Sequence, residues 1–386
     1  MQKHHSRRTV LGFVAAGALS VPMALSGAVS AGADELAPLY TSTDAVAGEW
    51  FVVLEDSIST AAVTPAALGI AAGDVNHTYE EVFDGYSATL STAEVQELRA
   101  QDGVAYVEQV GTAHTSVTWG LDRIDQEDLP LDDSYSTTAD GSGVSAYIID
   151  TGIDPDHPDF EGRASSAFDA YGGGGLDVNG HGTHVAGTIG SATYGVAPAA
   201  DLFGVKVLSD SGSGSYDDVI AGIDWVAANA PENSVANLSL GGPASQAVDD
   251  AVNALAGAGV FVAVAAGNEG QDAGNVSPAR AEGVTTVGAS DITDTAAYFS
   301  NHGAAVDIYA PGVDIESTIP GGGVDAYDGT SMASPHVAGA AALYKSANGD
   351  ADQATVQDWL VANGSQDKLS GVPSGTVNTL LNVQGL

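Results

Sequence analysis

Short apolar runs alternate with helix-like stretches through the C-terminal two thirds of this chain. Each run has the length of a buried strand and ends on a turn or polar residue. The runs cover residues 144–149, 202–208, 235–240 and 260–266. Stretches with helical spacing lie between them, notably 217–230 and 244–257. This alternation predicts a parallel central sheet with helices on both faces, an α/β fold.

A smaller unit precedes this domain and has a different order of elements. Strand patterns occupy 50–54, 83–90 and 104–108, and helical patterns occupy 61–70 and 92–99. Thr92 and the acids from Glu94 to Glu97 indicate a capped, acidic first turn for the second helix. The mixture predicts a small α+β sandwich at residues 34–115, ahead of the α/β domain at 116–386.

The first 33 residues have the pattern of a secretory signal. A charged start, Ser6-Arg-Arg-Thr-Val-Leu11, is followed by an apolar stretch to about Ala28 and by small residues at Ala31 and Ala33. The paired arginines favour the twin-arginine export route, with an ordinary Sec signal as the alternative. The apolar stretch is short and contains Pro22, which disfavours a membrane anchor, and no other stretch has the length to span a bilayer. We therefore expect a secreted protein with no stable membrane anchor.

The charge balance is extreme, with 10 Lys and Arg against 50 Asp and Glu and a net charge of −40. Self-repulsion of this size destabilises a compact fold in dilute buffer and is screened by salt. We therefore expect a protein that is folded and active in molar salt, as in halophiles. Apolar periodicity argues against disorder, and the charge argues against nucleic acid as a partner, because phosphates would be repelled. On charge alone a calcium-rich matrix protein stays open, and with no cysteine the chain can form no disulfide.

Ser331 is the first candidate for chemistry. It follows a Gly-Thr turn and precedes an Ala-rich apolar run, 332–342, that predicts a buried helix. A hydroxyl at a helix start lies beside unpaired backbone N–H groups, which favour developing negative charge. Serine at such a position is most often only a helix cap, so a role as nucleophile depends on partners elsewhere.

Asp150 and His181 supply those partners. Asp150 closes the strand 144–149, at the end where α/β sheets place their sites. His181 lies between two glycines, and its ordinary pKa suits it to take a proton from serine. A carboxylate on the second ring nitrogen would fix the tautomer. A zinc pair of His181 with His184 is the alternative, but no glutamate lies between them as in zinc proteases and no cysteine exists to complete a common set.

Asn268 is a fourth candidate, just after the apolar strand 260–266. Its amide could donate to the oxyanion of a tetrahedral intermediate, and an ordinary turn asparagine is the alternative. The order of Asp150, His181 and Ser331 along the chain is the order found in subtilisin.

These residues lie in segments that resemble the subtilisin-like serine proteases and, among them, the proteinase K branch. Six segments carry the resemblance, in family order, across nearly all of residues 116–386. They are Trp119-Gly-Leu-Asp-Arg-Ile-Asp125, Asp150-Thr-Gly-Ile153, His181-Gly-Thr-His-Val-Ala-Gly187, Ser239-Leu-Gly-Gly242, Ala265-Ala-Gly-Asn268 and Gly329-Thr-Ser-Met-Ala-Ser-Pro-His336. The resemblance implies a serine endopeptidase that needs no cofactor for catalysis, with Asp150, His181 and Ser331 as the triad and Asn268 as the oxyanion amide.

The same resemblance implies how substrate binds. Two backbone segments would pair with an extended peptide by strand addition, three small residues would line a roomy primary pocket, and Tyr216 would flank an outer one. The backbone segments are Gly212, Ser213 and Gly214 and then Ser239, Leu240 and Gly241, and the pocket wall is Ala265, Ala266 and Gly267. These wall segments contain no clustered acids, so we expect broad specificity favouring apolar or aromatic side chains before the cut.

Two structural calcium sites are also implied by the resemblance. Oxygen ligands suit a hard cation, and surface acids of a very acidic protein are the alternative. One site would consist of Asp122, Asp125, Gln126, Asp132 and Ser134, and the other of Asp307 with the backbone of Glu282 and Val284. At the second site the family usually has proline where this chain has Glu282.

The N-terminal unit resembles the inhibitor-like propeptides of these proteases, especially at Gly85-Tyr86 and 104–109. Such a propeptide acts as a folding chaperone and transient inhibitor and is removed by self-cleavage, here near 111–116. We therefore expect a monomeric zymogen whose partners are its own propeptide and protein or peptide substrates. The alternatives are an accessory domain that stays attached and, for the whole chain, a catalytically inert binding protein. The context of Ser331 argues against a hydrolase with a Gly-x-Ser-x-Gly elbow.

Overall fold

The computed structural model describes residues 36–41, 45–55, 57–111 and 117–386. The predicted secretory signal at 1–33 and residues 112–116 of the predicted cleavage region lie outside these ranges. The chain divides into two units, Met1–Ala113 and His114–Leu386. Each unit has a hydrophobic core of its own.

In its described residues, the N-terminal unit contains a five-stranded sheet and one α-helix, in agreement with the predicted α+β sandwich. The sheet order is β1-β5-β2-β4-β3, with β1 parallel to β5 and the other pairs antiparallel. The elements are β1 Leu39–Tyr40, β2 Ala45–Leu54, β3 Val75–Tyr79, β4 Gly85–Thr89, α1 Thr92–Arg99 and β5 Val104–Gly111. Val52, Leu98 and Val107 pack in its core.

Two elements of this unit differ from the sequence-based prediction. The segment 61–70 forms only a short 3₁₀ turn, Pro65–Leu68, because Gly69 adopts a left-handed conformation with φ 82° and ends it. Strand β3 was not predicted, since its five residues are mostly polar and partly exposed.

The cap of helix α1 also differs, because Ser91 and not Thr92 occupies the N-cap position. Ser91 Oγ accepts a hydrogen bond from Glu94 N at 3.3 Å, and Glu94 Oε2 accepts one from Ser91 N at 2.8 Å. This reciprocal pair satisfies two backbone donors, so the capping residue lies one position earlier than predicted while the helix itself begins at Thr92 as predicted.

The C-terminal unit is built on a nine-stranded sheet, which confirms the predicted α/β fold. Its order is β17-β18-β14-β13-β11-β9-β6-β8-β7, and all neighbouring pairs are parallel except β17 with β18. The strands are β6 Ser145–Asp150, β7 Ala164–Asp169, β8 Asp201–Lys206, β9 Ser234–Leu238, β11 Phe261–Ala265, β13 Thr285–Ser290, β14 Ile308–Pro311, β17 Ser365–Gln366 and β18 Thr379–Leu380. Two short antiparallel ribbons pair β10 Gly242–Pro243 with β12 Val276–Ser277, and β15 Ile315–Ile319 with β16 Gly323–Tyr327. The four strands predicted for this unit agree with the observed bounds to within two residues.

Helices cover both faces of this sheet. They are α2 Trp119–Ile124, α3 His181–Gly190, α4 Tyr216–Asn229, α5 Gln246–Gly257, α6 Thr330–Asn348 and α7 Gln353–Asn363. Helices α3 and α6 pack into one core and α4 and α5 into another. Ile148 and Ile149, adjacent on β6, point into the two different cores, because successive strand side chains alternate between faces. The fully buried central strands explain why their sequences are continuous apolar runs.

Helix α6 begins with a bonding pattern that proline dictates. Pro335 has no N–H, so the carbonyl of Ser331, four residues earlier, lacks its usual helical partner. The hydroxyl of Ser239, just beyond β9, donates to this carbonyl at 2.7 Å. The first turn of α6 is therefore tied to the end of the central sheet.

Candidate active site

Asp150 and His181 meet at the carboxyl edge of the sheet. Asp150 is the last residue of β6 and is fully buried, and His181 is the first residue of α3. His181 Nδ1 lies 2.7 Å from Asp150 Oδ1, which also accepts a hydrogen bond from Thr151 N at 2.7 Å. This contact fixes Nδ1 as the protonated ring nitrogen and leaves Nε2 as the base.

A glycine makes this close approach possible. A Cβ at Gly182 would lie 2.2 Å from the carbonyl oxygen of Gly152, in the turn that follows Asp150. No side chain fits there, so the start of α3 can pack against this turn only with glycine at position 182.

The pKa of His181 is raised above its ordinary value. Burial disfavours the charged imidazole, but the negative charge of Asp150 and its hydrogen bond outweigh that effect, and the charge of Asp177 adds to them. The side chain keeps 26% of its surface exposed, so its outer nitrogen can reach a substrate. A group with this pKa can hold the proton taken from a serine during the reaction.

Ser331 occupies the second position of α6 and lines the same cavity of about 380 Å³ as His181. Its hydroxyl donates to the carbonyl of Ser239 at 3.3 Å, and among the described residues it makes no hydrogen bond to the imidazole. Rotation about χ1 is the motion that would turn Oγ toward His181 Nε2. Loose alignment of this kind is common without substrate.

Asn268 follows β11 along the chain and contacts Thr330, the first residue of α6. Its Oδ1 accepts from Thr330 N at 2.8 Å and from Thr330 Oγ1 at 2.9 Å. The amide oxygen is thereby held, and its Nδ2 group has no acceptor among the described residues. Asn268 and Ser331 line a second cavity together, so Nδ2 is placed to donate to an oxyanion formed beside the serine.

Two cavities share Ser331, Leu240 and Gly241 and form the candidate substrate cleft. The cavity of about 380 Å³, on the His181 side, brings together five of the residues predicted to bind substrate: Gly212, Ser213, Gly214, Tyr216 and Ser239. The cavity of about 460 Å³, on the Asn268 side, is lined by Ala265 and Gly267. Ala266 lies outside this wall: it is fully buried, and its carbonyl accepts from Asn301 Nδ2 at 2.9 Å.

Sequence reasoning missed Glu269, which lines the larger cavity. Its Oε2 accepts a hydrogen bond from Asn301 Nδ2 at 2.9 Å. The predicted wall ends at Gly267, two residues before Glu269. The cavity therefore contains a single carboxylate, although no cluster of acids was expected or is found in the wall segments.

His184 does not join His181 in a metal site. Its Nε2 lies 2.9 Å from the carbonyl of Ile315 and 3.1 Å from that of Asp325, and its ring stacks on Tyr327 at 4.3 Å. Burial lowers the pKa of His184 to about 4. The residue is a neutral structural histidine, and the zinc alternative is excluded.

The first predicted calcium set is partly assembled. Asp122 is buried and accepts from the backbone of Asp132 and Asp133 at 3.2 and 2.8 Å. Burial, with the charges of Asp132 and Asp122, raises the pKa of Asp125 to about 6. Gln126 Oε1 is buried without a hydrogen-bond partner. Ser134 Oγ donates to Asp132 Oδ1 at 2.5 Å.

The second predicted set centres on Asp307. Asp307 Oδ2 accepts from Thr286 N at 2.8 Å, and burial raises the pKa of Asp307 to about 6. Val284 is buried, and Glu282 borders a separate cavity of about 470 Å³. Across the described ranges, no group of three or more His, Cys, Asp or Glu side chains is arranged to hold a metal. The unpartnered Gln126 oxygen makes the first set the better fit to an oxygen-binding cation.

Comparison with known proteins identifies the chain. Residues 141–385, more than half of its length, match the subtilase family of peptidases. The chain belongs to the subtilase family. Residues 45–115 match the peptidase inhibitor I9 family. This subtilase is therefore a subtilisin-like serine protease with an inhibitor-type propeptide domain.

Individual relatives agree with this assignment. Alkaline serine exoprotease A of Vibrio alginolyticus is 46% identical over 326 residues, which are 81% of this chain and 61% of that protein. Proteinase R of Parengyodontium album is 42% identical over 91% of this chain and 93% of its own length. The crystal structure of a cold adapted subtilisin-like serine proteinase superposes with a TM-score of 0.69 at 48% identity, covering 70% of this subtilase and 99% of that chain.

Replacement of Asn268 tests the oxyanion assignment. We expect Asn268→Ala to lower kcat by about 10²- to 10³-fold with little change in KM, because the amide donates only as charge develops; the magnitude is that of subtilisin, a member of this family. Steady-state kinetics on one peptide substrate measure both constants. Asn229→Ala, an exposed helix-end asparagine, is the matched control and should leave both unchanged. A wild-type kcat in folded Asn268→Ala would remove Asn268 from the mechanism.

Proposed function

We propose that this subtilase is a secreted, self-processing serine endopeptidase of broad specificity that prefers apolar or aromatic residues before the cut and works in high salt. The observation that carries the proposal is the assembly of Asp150, His181, Ser331 and Asn268 at one edge of the sheet, beside two open cavities. Protein and peptide chains are its substrates. The I9-type unit is its transient inhibitor, removed near 111–116.

The mechanism follows from the roles of these side chains. His181 Nε2 takes the proton of Ser331 as Oγ attacks the peptide carbonyl, and Asp150 stabilises the imidazolium. Asn268 Nδ2 donates to the oxyanion of the tetrahedral intermediate. His181 then gives its proton to the leaving amine as the C–N bond breaks, which leaves an acyl-enzyme on Ser331. In the second half of the reaction His181 takes a proton from water, the water oxygen attacks the ester, and the proton returns to Ser331 as the acid product leaves.

Export rests on the arrangement of the first 33 residues, with the charged start and apolar centre of a signal. In the parts of the chain that the structure describes, no helix is both long and apolar enough to cross a bilayer. We place the mature enzyme outside the cell.

Specificity is tested with a peptide library. We expect preferred cleavage after Phe, Tyr, Leu and Met, because Ala265 and Gly267 leave room in the larger cavity and Val276 adds apolar surface to it. The Glu269 carboxylate should also admit Lys and Arg, and Glu269→Gln should lower kcat/KM for Lys peptides about tenfold relative to Phe peptides. Glu232→Gln, an exposed acid outside the cleft, is the charge-matched control. Strict preference for Lys or Arg in the wild type would refute the proposed specificity.

Structural calcium and salt are proposed as joint sources of stability. Asp122, Asp125, Gln126, Asp132 and Ser134 would hold one ion, and Asp307 with the backbone of Glu282 and Val284 a second. Burial and then the charges of Asp132 and Asp122 raise the pKa of Asp125, and a bound divalent cation would offset this charge repulsion. Salt would screen the net charge of −40 throughout the chain.

Thermal unfolding separates these two contributions. We expect the midpoint to rise steeply between roughly 0.1 and 4 M NaCl, and a chelator to lower it further at constant ionic strength. Because the folded-state pKa of Asp125 is raised from 3.8 to about 6, the chelated protein should lose stability as pH rises through that interval. Asp122→Asn should abolish most of the chelator response. An unchanged midpoint on chelation contradicts the calcium sites, and one insensitive to NaCl contradicts the salt adaptation.

A further inference from the structure

Asp177 is a buried carboxylate just ahead of α3, with 6% of its surface exposed. Its Oδ1 accepts from Thr151 Oγ1 at 2.9 Å and from the backbone N–H groups of Asn179 at 3.0 Å and Gly180 at 2.9 Å. Its Oδ2 accepts from Thr183 N at 2.8 Å and Thr183 Oγ1 at 2.7 Å. Five donors therefore converge on one charge at the start of the helix that carries the catalytic histidine.

Thr151 connects this carboxylate to the other half of the site. Its backbone N–H donates to Asp150 Oδ1 at 2.7 Å, while its Oγ1 accepts from Gly182 N at 2.8 Å. The same hydroxyl donates to Asp177. A continuous set of hydrogen bonds thus joins the end of β6 to the first turn of α3.

We propose that Asp177 is a positioning residue for the proton transfer between Ser331 and His181. By bonding to both the α3 start and Thr151, it fixes the distance between His181 Nδ1 and Asp150 Oδ1. The carboxylate is suited to this place, because the N-terminus of a helix presents unpaired N–H groups and a positive dipole end. The proposal rests on the serine protease activity and does not depend on the proposed specificity or export.

The electrostatics give Asp177 a second effect on the same histidine. Its charge contributes to raising the pKa of His181, after the larger opposing effect of burial and the favourable effect of Asp150. The titratable or charged groups facing this turn from the elements packed around it are Asp150, Asp177, His184, Lys206, Asp325 and Tyr327. Loss of the Asp177 charge therefore lowers the pKa of His181. Removal of an uncharged neighbour that only supports the fold would leave this pKa unchanged.

The test is Asp177→Asn, which keeps the side-chain shape, removes the charge and turns one oxygen into an NH₂ group facing N–H or O–H donors. We expect kcat to fall about 10- to 100-fold with KM within about twofold, since a small displacement of the base weakens proton transfer. In the dependence of kcat on pH, the acid limb, which reports the pKa of His181, should move to lower pH. A folded Asp177→Asn enzyme with wild-type kcat and an unmoved acid limb would overturn the proposal, as would a lower unfolding midpoint alone.

Asp159→Asn is the matched control at the other end of α3. Asp159 accepts from Thr193 N at 3.1 Å and Thr193 Oγ1 at 2.7 Å and makes no contact with the triad. Its replacement removes the same charge and the acceptor of two hydrogen bonds, against five at Asp177, so it controls for loss of one negative charge near α3. Both kcat and the acid limb should stay as in the wild type, and an equal effect of both variants would overturn the specific role of Asp177.

A second pair of variants covers the case in which Asp177→Asn does not fold. Thr151→Val removes the hydroxyl that links Asp177 to Gly182 while leaving every charge in place, and Thr151→Ser retains the hydroxyl. We expect Thr151→Val to lower kcat about tenfold or more and Thr151→Ser to restore it. Equal kcat values for the two variants would overturn the proposal.

Discussion

Ser331→Ala should abolish both peptide hydrolysis and self-processing. We expect kcat to fall by about 10⁶-fold, a magnitude taken from subtilisin, a member of this family, and not from this structure. The reason is that, among the described residues, Ser331 carries the one hydroxyl side chain that lines both the His181 cavity and the Asn268 cavity. Intact mass measurement should show the precursor at its full 386 residues, less any export signal removed by a separate peptidase.

The fold should survive this change, which makes the result decisive. Alanine is a good helix former at the second position of α6, and the bond lost, from Ser331 Oγ to the Ser239 carbonyl, is long at 3.3 Å. Ser346→Ala near the end of the same helix is the matched control and should mature and cleave normally. If Ser331→Ala still sheds its propeptide during purification in the absence of added protease, Ser331 is not the nucleophile for maturation.

Asp150→Ala is expected to have the next largest effect, a loss of about 10⁴-fold in kcat, again a magnitude known from subtilisin. His181 Nδ1 would lose its acceptor at 2.7 Å, and the imidazolium formed during the reaction would lose its compensating charge. The acid limb of kcat/KM should also move to lower pH. The sign follows because Asp150 raises the pKa of His181, and only the neutral imidazole can accept the serine proton.

A comparison with Asp150→Asn separates charge from hydrogen bonding. Thr151 N donates to Oδ1, so an asparagine would keep its oxygen there and place its NH₂ group at Oδ2, which is buried without a partner. Asp156→Ala, an exposed acid six residues along, is the control for general loss of charge. If Asp150→Ala retains more than about a tenth of wild-type kcat while folded, the triad assignment fails for this residue.

The sequence is sufficient to predict the sheet and to select four candidate side chains that the structure brings to its carboxyl edge, for a physical reason. Central strands such as β6 and β11 are buried on both faces, so their apolar runs are unbroken and end visibly at Asp150 and just before Asn268. Candidate functional residues at the carboxyl ends of such strands can therefore be recognised from the sequence. The same reasoning missed β3, whose exposed side chains carry no apolar pattern.

Features that depend on contacts between distant segments could not be predicted in this way. Glu269 and Asn301 are brought together only by the fold, and so Glu269 is recognised as a pocket residue only in three dimensions. Asp177 looks like an ordinary loop acid in the sequence, although five donors surround it. The hydrogen bond from Ser239 to the Ser331 carbonyl depends on Pro335, and no local pattern pairs those segments.

Salt adaptation and export are predicted from the charge and from residues 1–33, which lie outside the described ranges. The predicted calcium ligands combine raised pKa values at Asp125 and Asp307 with the unpartnered oxygen of Gln126, which favours a bound cation.

Covalent labelling with a fluorophosphonate, followed by mass spectrometric peptide mapping, tests the central claim most directly. Attack by an activated serine forms a stable phosphonyl ester, and the adduct records which hydroxyl is activated. We predict one adduct, on Ser331, formed at the rate at which peptide hydrolysis is lost, absent in Ser331→Ala and greatly slowed in Asp150→Ala. An enzyme that hydrolyses peptides but is labelled at another residue, or loses activity with Ser331 unmodified, would contradict the account.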